Sequence, residues 1–101
     1  MKFKIEYMIK NIKESDKPYG EKRITNNVFI RTFDNTVNEK ELYWHRDKED
    51  RIITPLEKTD WKIQMDNEIP IIIEDNTFIP KNTYHRVIKG TQDLKIKLIK
   101  L

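Results

Sequence analysis

The sequence lacks cysteine and alanine, and each absence narrows what this protein can be. Without cysteine, neither a disulfide framework nor a thiolate metal site can form, which fits a reducing compartment. Without alanine, the best helix former, and with many isoleucines, the composition favours strands over helices. The first prediction is therefore an all-β protein.

Long apolar runs are also missing. No stretch approaches the ~20 residues that a membrane-spanning helix needs. The first residues lack the apolar region of a secretory signal peptide. We therefore expect a cytoplasmic protein that has no membrane as a partner.

A long basic block is the third absence. The chain has 20 Lys and Arg against 17 Asp and Glu, so the formal net charge is only +3. Lysines are interleaved with acidic residues almost everywhere, whereas nucleic-acid binders concentrate positive charge on one face. A solvated surface of mixed charge is the favoured interpretation, and nucleic acid is not the expected partner.

What the chain does contain is a series of short strand-like runs separated by two- to four-residue turns. Apolar and charged residues alternate over 2–9 and again over 94–98, which is the period of a half-buried strand. Residues 10–22 are predicted as a loop and 42–46 as a strand, with one short helical turn within 36–41. Roughly nine such strands at close spacing are typical of an antiparallel sandwich or barrel. We predict one domain over 1–101, with N-terminal strands and a loop in 1–41 and a pocket-forming barrel core in 42–101.

The only two histidines stand at the two ends of the stretch from Trp44 to His85. His45 and Asp47 are two residues apart, so on a strand both side chains point to the same face. If His85 reaches that face from a neighbouring strand, two imidazoles and one carboxylate converge. Such a set suits a divalent first-row metal, Fe, Mn, Ni or Zn, with open coordination positions. A metal-free, hydrogen-bonded structural role for each histidine is the alternative.

The run Pro80-Lys81-Asn82-Thr83-Tyr84-His85 resembles the second motif of the cupin superfamily, Pro-x-Gly-x-x-His, with Asn82 in the place of glycine. Asparagine tolerates positive φ better than most residues, so this exchange is mild. The first cupin motif is matched in part: His45 and Asp47 take its two histidine positions. Its glutamate position carries Arg51 and its glycine position Lys58. The resemblance extends from Trp44 to Gly90 and includes short cupin-like proteins of phage type.

This resemblance implies a single small cupin-type jelly-roll β-barrel, also called a double-stranded β-helix, with an N-terminal strand extension. It implies His45, Asp47 and His85 as metal ligands. It also implies a homodimer paired through N-terminal strands, for which residues 2–9 are the candidate. It does not decide whether the protein is an enzyme.

Arg51 leaves two interpretations open, because its guanidinium cannot deprotonate. It forms an ion pair with Asp47, which would remove that carboxylate from the ligand set, or it binds the carboxylate or phosphate of a small anionic molecule. Gln64 is a second candidate ligand-binding residue, as Gln64 and Met65 face opposite ways and one of them can line the cavity. Trp44 and Tyr84 are expected on the opposite face, where they pack.

Two hypotheses for function follow from these alternatives. One is a metal-dependent cupin with dioxygenase, isomerase or lyase chemistry. The other is a non-enzymatic binding or protein-interaction module whose metal-free pocket is closed by an Asp47–Arg51 pair. The sequence does not choose between them.

Overall fold

The computed structural model describes residues 17–101, which form eight strands and one short 3₁₀ turn. The strands are β1 (Gly20–Arg23), β2 (Val28–Phe33), β3 (Arg51–Pro55), β4 (Lys62–Met65), β5 (Ile71–Ile72), β6 (Thr77–Ile79), β7 (His85–Ile88) and β8 (Leu94–Lys100). The 3₁₀ turn spans Glu39–Glu41, within the predicted helical turn. The all-β prediction is confirmed. The strand predicted over 2–9 lies outside the described residues, and so do the N-terminal extension and the dimer contact assigned to it.

The strands form two antiparallel sheets. One has the order β1-β2-β8-β3-β6 and the other the order β5-β4-β7. β8 lies at the centre of the larger sheet, and its alternation buries Leu94, Ile96 and Leu98 while Lys95 and Lys97 face outward. β2 lies between β1 and β8, so residues 28–33 contribute to the same core as the strands after residue 42.

The core lies between the two sheets. Trp61 and Ile63 are completely buried, and Phe33 from the larger sheet stacks against Trp61 with ring centroids 5.6 Å apart. The indole nitrogen of Trp61 donates a hydrogen bond to the Gln92 carbonyl, so its one polar atom is satisfied. Burying a large apolar side chain of this kind contributes roughly 1.5–3 kcal/mol. This packing holds the two sheets face to face.

Three asparagines take the left-handed backbone conformation at turns. Asn67, Asn76 and Asn82 have φ of 62°, 58° and 61°. Asparagine is among the few non-glycine residues that adopt this region at low cost. The chain has only two glycines, and asparagine supplies the left-handed backbone conformation at turns where glycine is usual. This includes the glycine position of the Pro80–His85 motif.

Two local predictions differ from the structure. Residues 20–22 were predicted as loop but belong to β1. All four β1 residues are exposed and show no apolar alternation, so the sequence carries no strand pattern here. The strand forms because pairing with β2 satisfies the backbone hydrogen bonds of these residues. The strand predicted over 42–46 is reduced to one bridge, in which His45 and His85 exchange two backbone hydrogen bonds of 3.0 and 2.9 Å. The two segments stay close beyond this bridge, since the Asp47 carbonyl accepts from the Asn82 amide at 2.7 Å, but they form no further strand pairing.

No helix within residues 17–101 combines the length and the apolar character needed to cross a membrane.

Candidate metal centre

His45, Asp47 and His85 meet at one end of the space between the sheets. The backbone bridge places the two histidines opposite each other, with ring centroids 4.4 Å apart. Asp47, two residues after His45, reaches the same face. One side-chain atom from each of the three residues lies within 4.8 Å of the others. The two-residue spacing of His45 and Asp47 and the second cupin motif, which ends at His85, predicted that these three residues form one group. The structure brings them together.

Both imidazole rings are fixed through the nitrogen that faces away from Asp47. His45 Nδ1 lies 3.1 Å from the Tyr43 carbonyl, and His85 Nδ1 lies 2.8 Å from the Thr83 carbonyl. A carbonyl oxygen can only accept, so each Nδ1 carries a hydrogen, and Nε2 is the ring nitrogen that faces Asp47. Metal-binding histidines are typically oriented in this way, by a hydrogen bond on the other ring nitrogen.

The two Nε2 atoms face the Asp47 carboxylate. His45 Nε2 lies 3.8 Å from Oδ1, and His85 Nε2 lies 3.3 Å from Oδ2. Oδ2 is buried and has no hydrogen-bond partner among the described residues. Leaving a buried polar atom unsatisfied costs about 1–3 kcal/mol, and more when the atom is charged.

These residues fit a divalent metal ion. Ligand atoms that share one ion at bond lengths of 2.0–2.2 Å stand roughly 3–3.5 Å apart. His85 Nε2 lies 3.3 Å from Oδ2 and His45 Nε2 lies 3.8 Å from Oδ1, both close to that range, and one ligand atom from each of the three residues lies within 4.8 Å of the others. A cation among these atoms would also satisfy the buried carboxylate oxygen that has no hydrogen-bond partner among the described residues.

The electrostatic surroundings keep His85 in the neutral form that binds metal. Burial lowers the pKa of His85 below its ordinary value, and the neighbouring His45 and Arg51 lower it further. The Thr83 carbonyl and the Asp47 carboxylate act in the opposite direction but do not reverse the shift. Neutral imidazole is the form required for metal ligation.

Arg51 points into this centre and is held by two carboxylates. Its Nε and Nη2 donate to Glu49 Oε2 at 2.7 and 2.6 Å, and its Nη1 lies 3.4 Å from Asp47 Oδ1. The Asp47–Arg51 contact anticipated from the sequence is therefore present. It engages only Oδ1, while Oδ2 faces His85. Pairing with Arg51 and coordination of a metal are thus compatible at Asp47.

Glu49 is a residue of the site that the sequence analysis did not identify. In the structure its carboxylate offsets the positive charge of Arg51 beside the candidate metal site. The available signal was its spacing of two from Arg51, which places both side chains on one face of an extended segment.

The centre opens into a cavity of about 410 Å³ between the sheets. Its walls are mostly apolar, and its charged lining residues include Arg31 besides Asp47 and Arg51. The apolar lining is formed by Phe33, Leu42, Ile53, Ile63, Ile79, Val87, Ile96 and Leu98. Arg31 was also missed, although its alternation with Phe29 and Phe33 marks it as inward-facing. A cavity of this size suits a small molecule.

Gln64 does not line this cavity. Its neighbour Ile63 faces inward from β4, so Gln64 points to the other side of the sheet. There its amide donates to the Glu68 carbonyl and accepts from Arg86 Nε, both at 2.9 Å. The structure therefore does not bring Gln64 together with the other candidate site residues.

Trp44 and Tyr84 lie on the outer face, as their alternation with the histidines predicted. Each packs against an arginine: the Arg86 guanidinium lies 4.9 Å from the Trp44 ring centroid, and that of Arg46 lies 5.2 Å from the Tyr84 centroid. Both aromatic side chains stay partly exposed to solvent.

Comparison with known proteins gives matches among solved structures alone. No family model and no curated protein matches the chain. A Cupin 2 conserved barrel domain protein from Leptotrichia buccalis is similar with a TM-score of 0.64 and 21% identity, over 94% of this chain and 45% of that one. An RmlC-like cupin with a double-stranded β-helix fold from Methanocaldococcus jannaschii has a TM-score of 0.61 at 12% identity, over 88% and 84% of the two chains. The cobalt(II) form of HppE in complex with substrate has a TM-score of 0.64 at 11% identity, over 87% and 54%.

These likenesses show that the chain has the cupin fold, a jelly roll or double-stranded β-helix. The resemblance identified in the sequence is thereby confirmed at the level of fold. The chain spans about half the length of the Leptotrichia protein and of HppE.

Proposed function

We propose that this protein binds one divalent first-row metal ion through His45, Asp47 and His85, and a small anionic molecule beside it. The observation that carries the proposal is the buried Oδ2 of Asp47, which has no hydrogen-bond partner among the described residues and lies 3.3 Å from His85 Nε2. Two imidazoles and one carboxylate suit Fe, Mn, Ni or Zn and leave coordination positions open. A metal ion in such a site supplies a Lewis acid that polarises oxygen ligands.

Each residue around the site has a separate task in this proposal. The Tyr43 and Thr83 carbonyls fix the two rings, and Arg51 holds Oδ1 of Asp47 while leaving Oδ2 directed at the site. The apolar walls limit water in the cavity, which strengthens electrostatic contacts with a bound anion. The cobalt(II) form of HppE, which has the same fold, was crystallised with a substrate and supports placing metal and small molecule together.

Direct metal titration tests this function. Chelator-treated protein is titrated calorimetrically with Co(II), Ni(II), Zn(II) and Mn(II), and with Fe(II) under anaerobic conditions. We expect one ion per chain and a loss of binding in His45→Ala and His85→Ala. Asp75→Asn, which alters an exposed carboxylate elsewhere, is expected to bind as the unaltered protein does. The proposal fails if no ion binds near stoichiometrically, or if the double histidine variant binds equally well.

A second candidate function is supported by the 3.4 Å contact between Arg51 and Asp47. In that case the protein is a binding module without metal, and the pair closes one end of the cavity. Small anions would then bind with the same affinity before and after chelator treatment. The titration separates the two candidates, because only the first requires a stoichiometric ion.

We also propose that the protein forms a homodimer in the cytoplasm. Light scattering measures the mass of the particle, and a monomer at micromolar concentration would contradict this part of the proposal.

A further inference from the structure

Arg31 is a second buried cation of the same cavity, and the metal centre does not use it. It lies on β2 between Phe29 and Phe33, on the face directed into the core. Its side chain is only 10% exposed, comparable to that of Arg51. A guanidinium at this depth is retained only where partners compensate for its lost hydration.

Among residues 17–101, two contacts of Arg31 are found, and neither uses the edge formed by its two terminal nitrogens. Nε donates to Glu21 Oε1 at 2.5 Å, and the guanidinium carbon lies 4.2 Å from the centroid of the Tyr19 ring. These contacts fix one edge and one face of the planar group. Within residues 17–101, no hydrogen bond from either terminal nitrogen, Nη1 or Nη2, to another residue is found.

Arg51 and Arg31 differ in how many of their guanidinium nitrogens face carboxylates of the protein. Arg51 uses Nε and Nη2 on Glu49 and directs Nη1 to Asp47, so its donors face carboxylates of the protein itself. Within the described part of the chain, Arg31 is paired with one carboxylate, that of Glu21, whose side chain is 31% exposed and therefore partly screened by water. The two parallel donors of an arginine edge match a carboxylate or phosphate in bidentate geometry. Arg31 therefore suits a ligand anion better than Arg51 does.

We propose that Arg31 anchors an oxyanion group, a carboxylate or a phosphate-type group, at one part of a ligand whose apolar portion lies against Ile53, Ile63 and Leu98. The inference rests on the proposed function, since it names the ligand class of the same cavity. The ligand is a small amphipathic oxyanion that fits about 410 Å³. The anchoring role assigned from the sequence to Arg51 passes to Arg31, and Arg51 becomes a positioning residue for Asp47.

The test uses chelator-treated protein, so that anion binding is measured apart from metal binding. Hexanoate, hexylphosphonate and neutral hexan-1-ol are titrated calorimetrically into the protein, Arg31→Met and Lys97→Met. Lys97 is an exposed residue of β8 directed outward, so Lys97→Met matches the loss of one positive charge outside the cavity. We expect Arg31→Met to weaken binding of the anions about tenfold or more, since charge-assisted hydrogen bonds are lost. Lys97→Met should leave both anions within about twofold of the starting affinity, as screening limits an exposed charge.

Glu21→Gln provides a second variant that keeps the shape of the pair and removes the competing charge. We expect it to bind the preferred anion several-fold more tightly. The comparison of the two anions identifies the oxyanion. Tighter binding of hexanoate indicates a carboxylate, and tighter binding of hexylphosphonate indicates a phosphate-type group. Any of three results would overturn the assignment. They are equal anion affinity in Arg31→Met and the starting protein, a loss of anion affinity in Lys97→Met as large as that in Arg31→Met, and weaker anion binding in Glu21→Gln than in the starting protein.

A parallel Co(II) titration separates this inference from the proposed metal function. Arg31→Met should bind Co(II) as the starting protein does. Failure of Co(II) to bind any of these proteins removes the metal function, whereas the anion measurements still decide the role of Arg31.

Discussion

Asp47 Oδ2 and His85 Nε2 lie 3.3 Å apart, while the other ring nitrogen of His85, Nδ1, lies 2.8 Å from the Thr83 carbonyl. Oδ2 is buried and has no hydrogen-bond partner among the described residues. A cation placed between a buried carboxylate oxygen and a neutral imidazole nitrogen would be bound by both. Asp47 is therefore the most informative residue to alter.

Asp47→Asn should separate metal affinity from stability. The amide keeps the shape of the side chain but loses a charged ligand, so we expect Co(II) affinity to fall by at least about 100-fold. The free energy of unfolding of the metal-free protein should change by less than about 1 kcal/mol, because the amide can donate to His85 Nε2 while the contact with Arg51 weakens. Chelator competition and urea denaturation measure the two quantities. A large loss of stability with metal affinity unchanged would contradict the ligand role of Asp47.

Glu49→Gln should weaken metal binding although Glu49 is not a ligand. Without the Glu49 charge, the guanidinium of Arg51 is offset only by Asp47 and competes with a metal for that carboxylate. We expect Co(II) affinity to decrease about tenfold, the usual size of an effect transmitted through a residue behind the ligand. Glu57→Gln, at an exposed position outside the metal centre, is the matched control. Equal affinities in the two variants would show that Glu49 does not act on the site.

Gly90→Ala should destabilise the fold because the added methyl group has no room. A Cβ at residue 90 would lie 2.2 Å from Asp60 Oδ1, 2.6 Å from Trp61 Cδ1 and 2.8 Å from the Trp61 backbone nitrogen. Trp61 is completely buried and cannot move aside. We expect a loss of about 1–3 kcal/mol in urea denaturation, as for other overpacked sites.

Gly20→Ala is the control for that substitution. A Cβ at residue 20 meets nothing within 4 Å, so alanine there should leave stability unchanged or slightly higher. A similar loss in both glycine variants would mean that backbone freedom, rather than the contact with Trp61, is responsible.

Asp60 should make stability depend on pH in the acid range. Its carboxylate accepts from the Thr91 amide at 2.9 Å and from the Thr91 hydroxyl at 2.8 Å, and these hydrogen bonds lower the pKa of Asp60 below its ordinary value of 3.8. A carboxyl whose pKa is lower in the folded state stabilises the fold above its unfolded pKa, and the contribution is lost as pH falls through the folded pKa. We therefore expect Asp60→Asn to be less stable than the starting protein at pH 7. The difference should shrink once the pH falls below about 4. A difference that stays constant down to pH 2 would contradict this origin.

The sequence by itself determined the fold class and the metal-ligating candidates. The absence of alanine, the alternation of Leu94, Ile96 and Leu98, and the Pro80–His85 motif are local patterns, and the two-residue spacing of His45 and Asp47 specifies a shared face wherever the segment is extended. The tertiary structure decided what surrounds those residues. It set Gln64 against Arg86 on the side of β4 away from the cavity, brought Arg31 into the cavity from β2, and left Oδ2 of Asp47 facing His85. These relationships depend on how strands distant in sequence pack and on which carbonyl each ring meets. Local spacing specifies the face on which a side chain lies, whereas its partners depend on which strands the fold brings together.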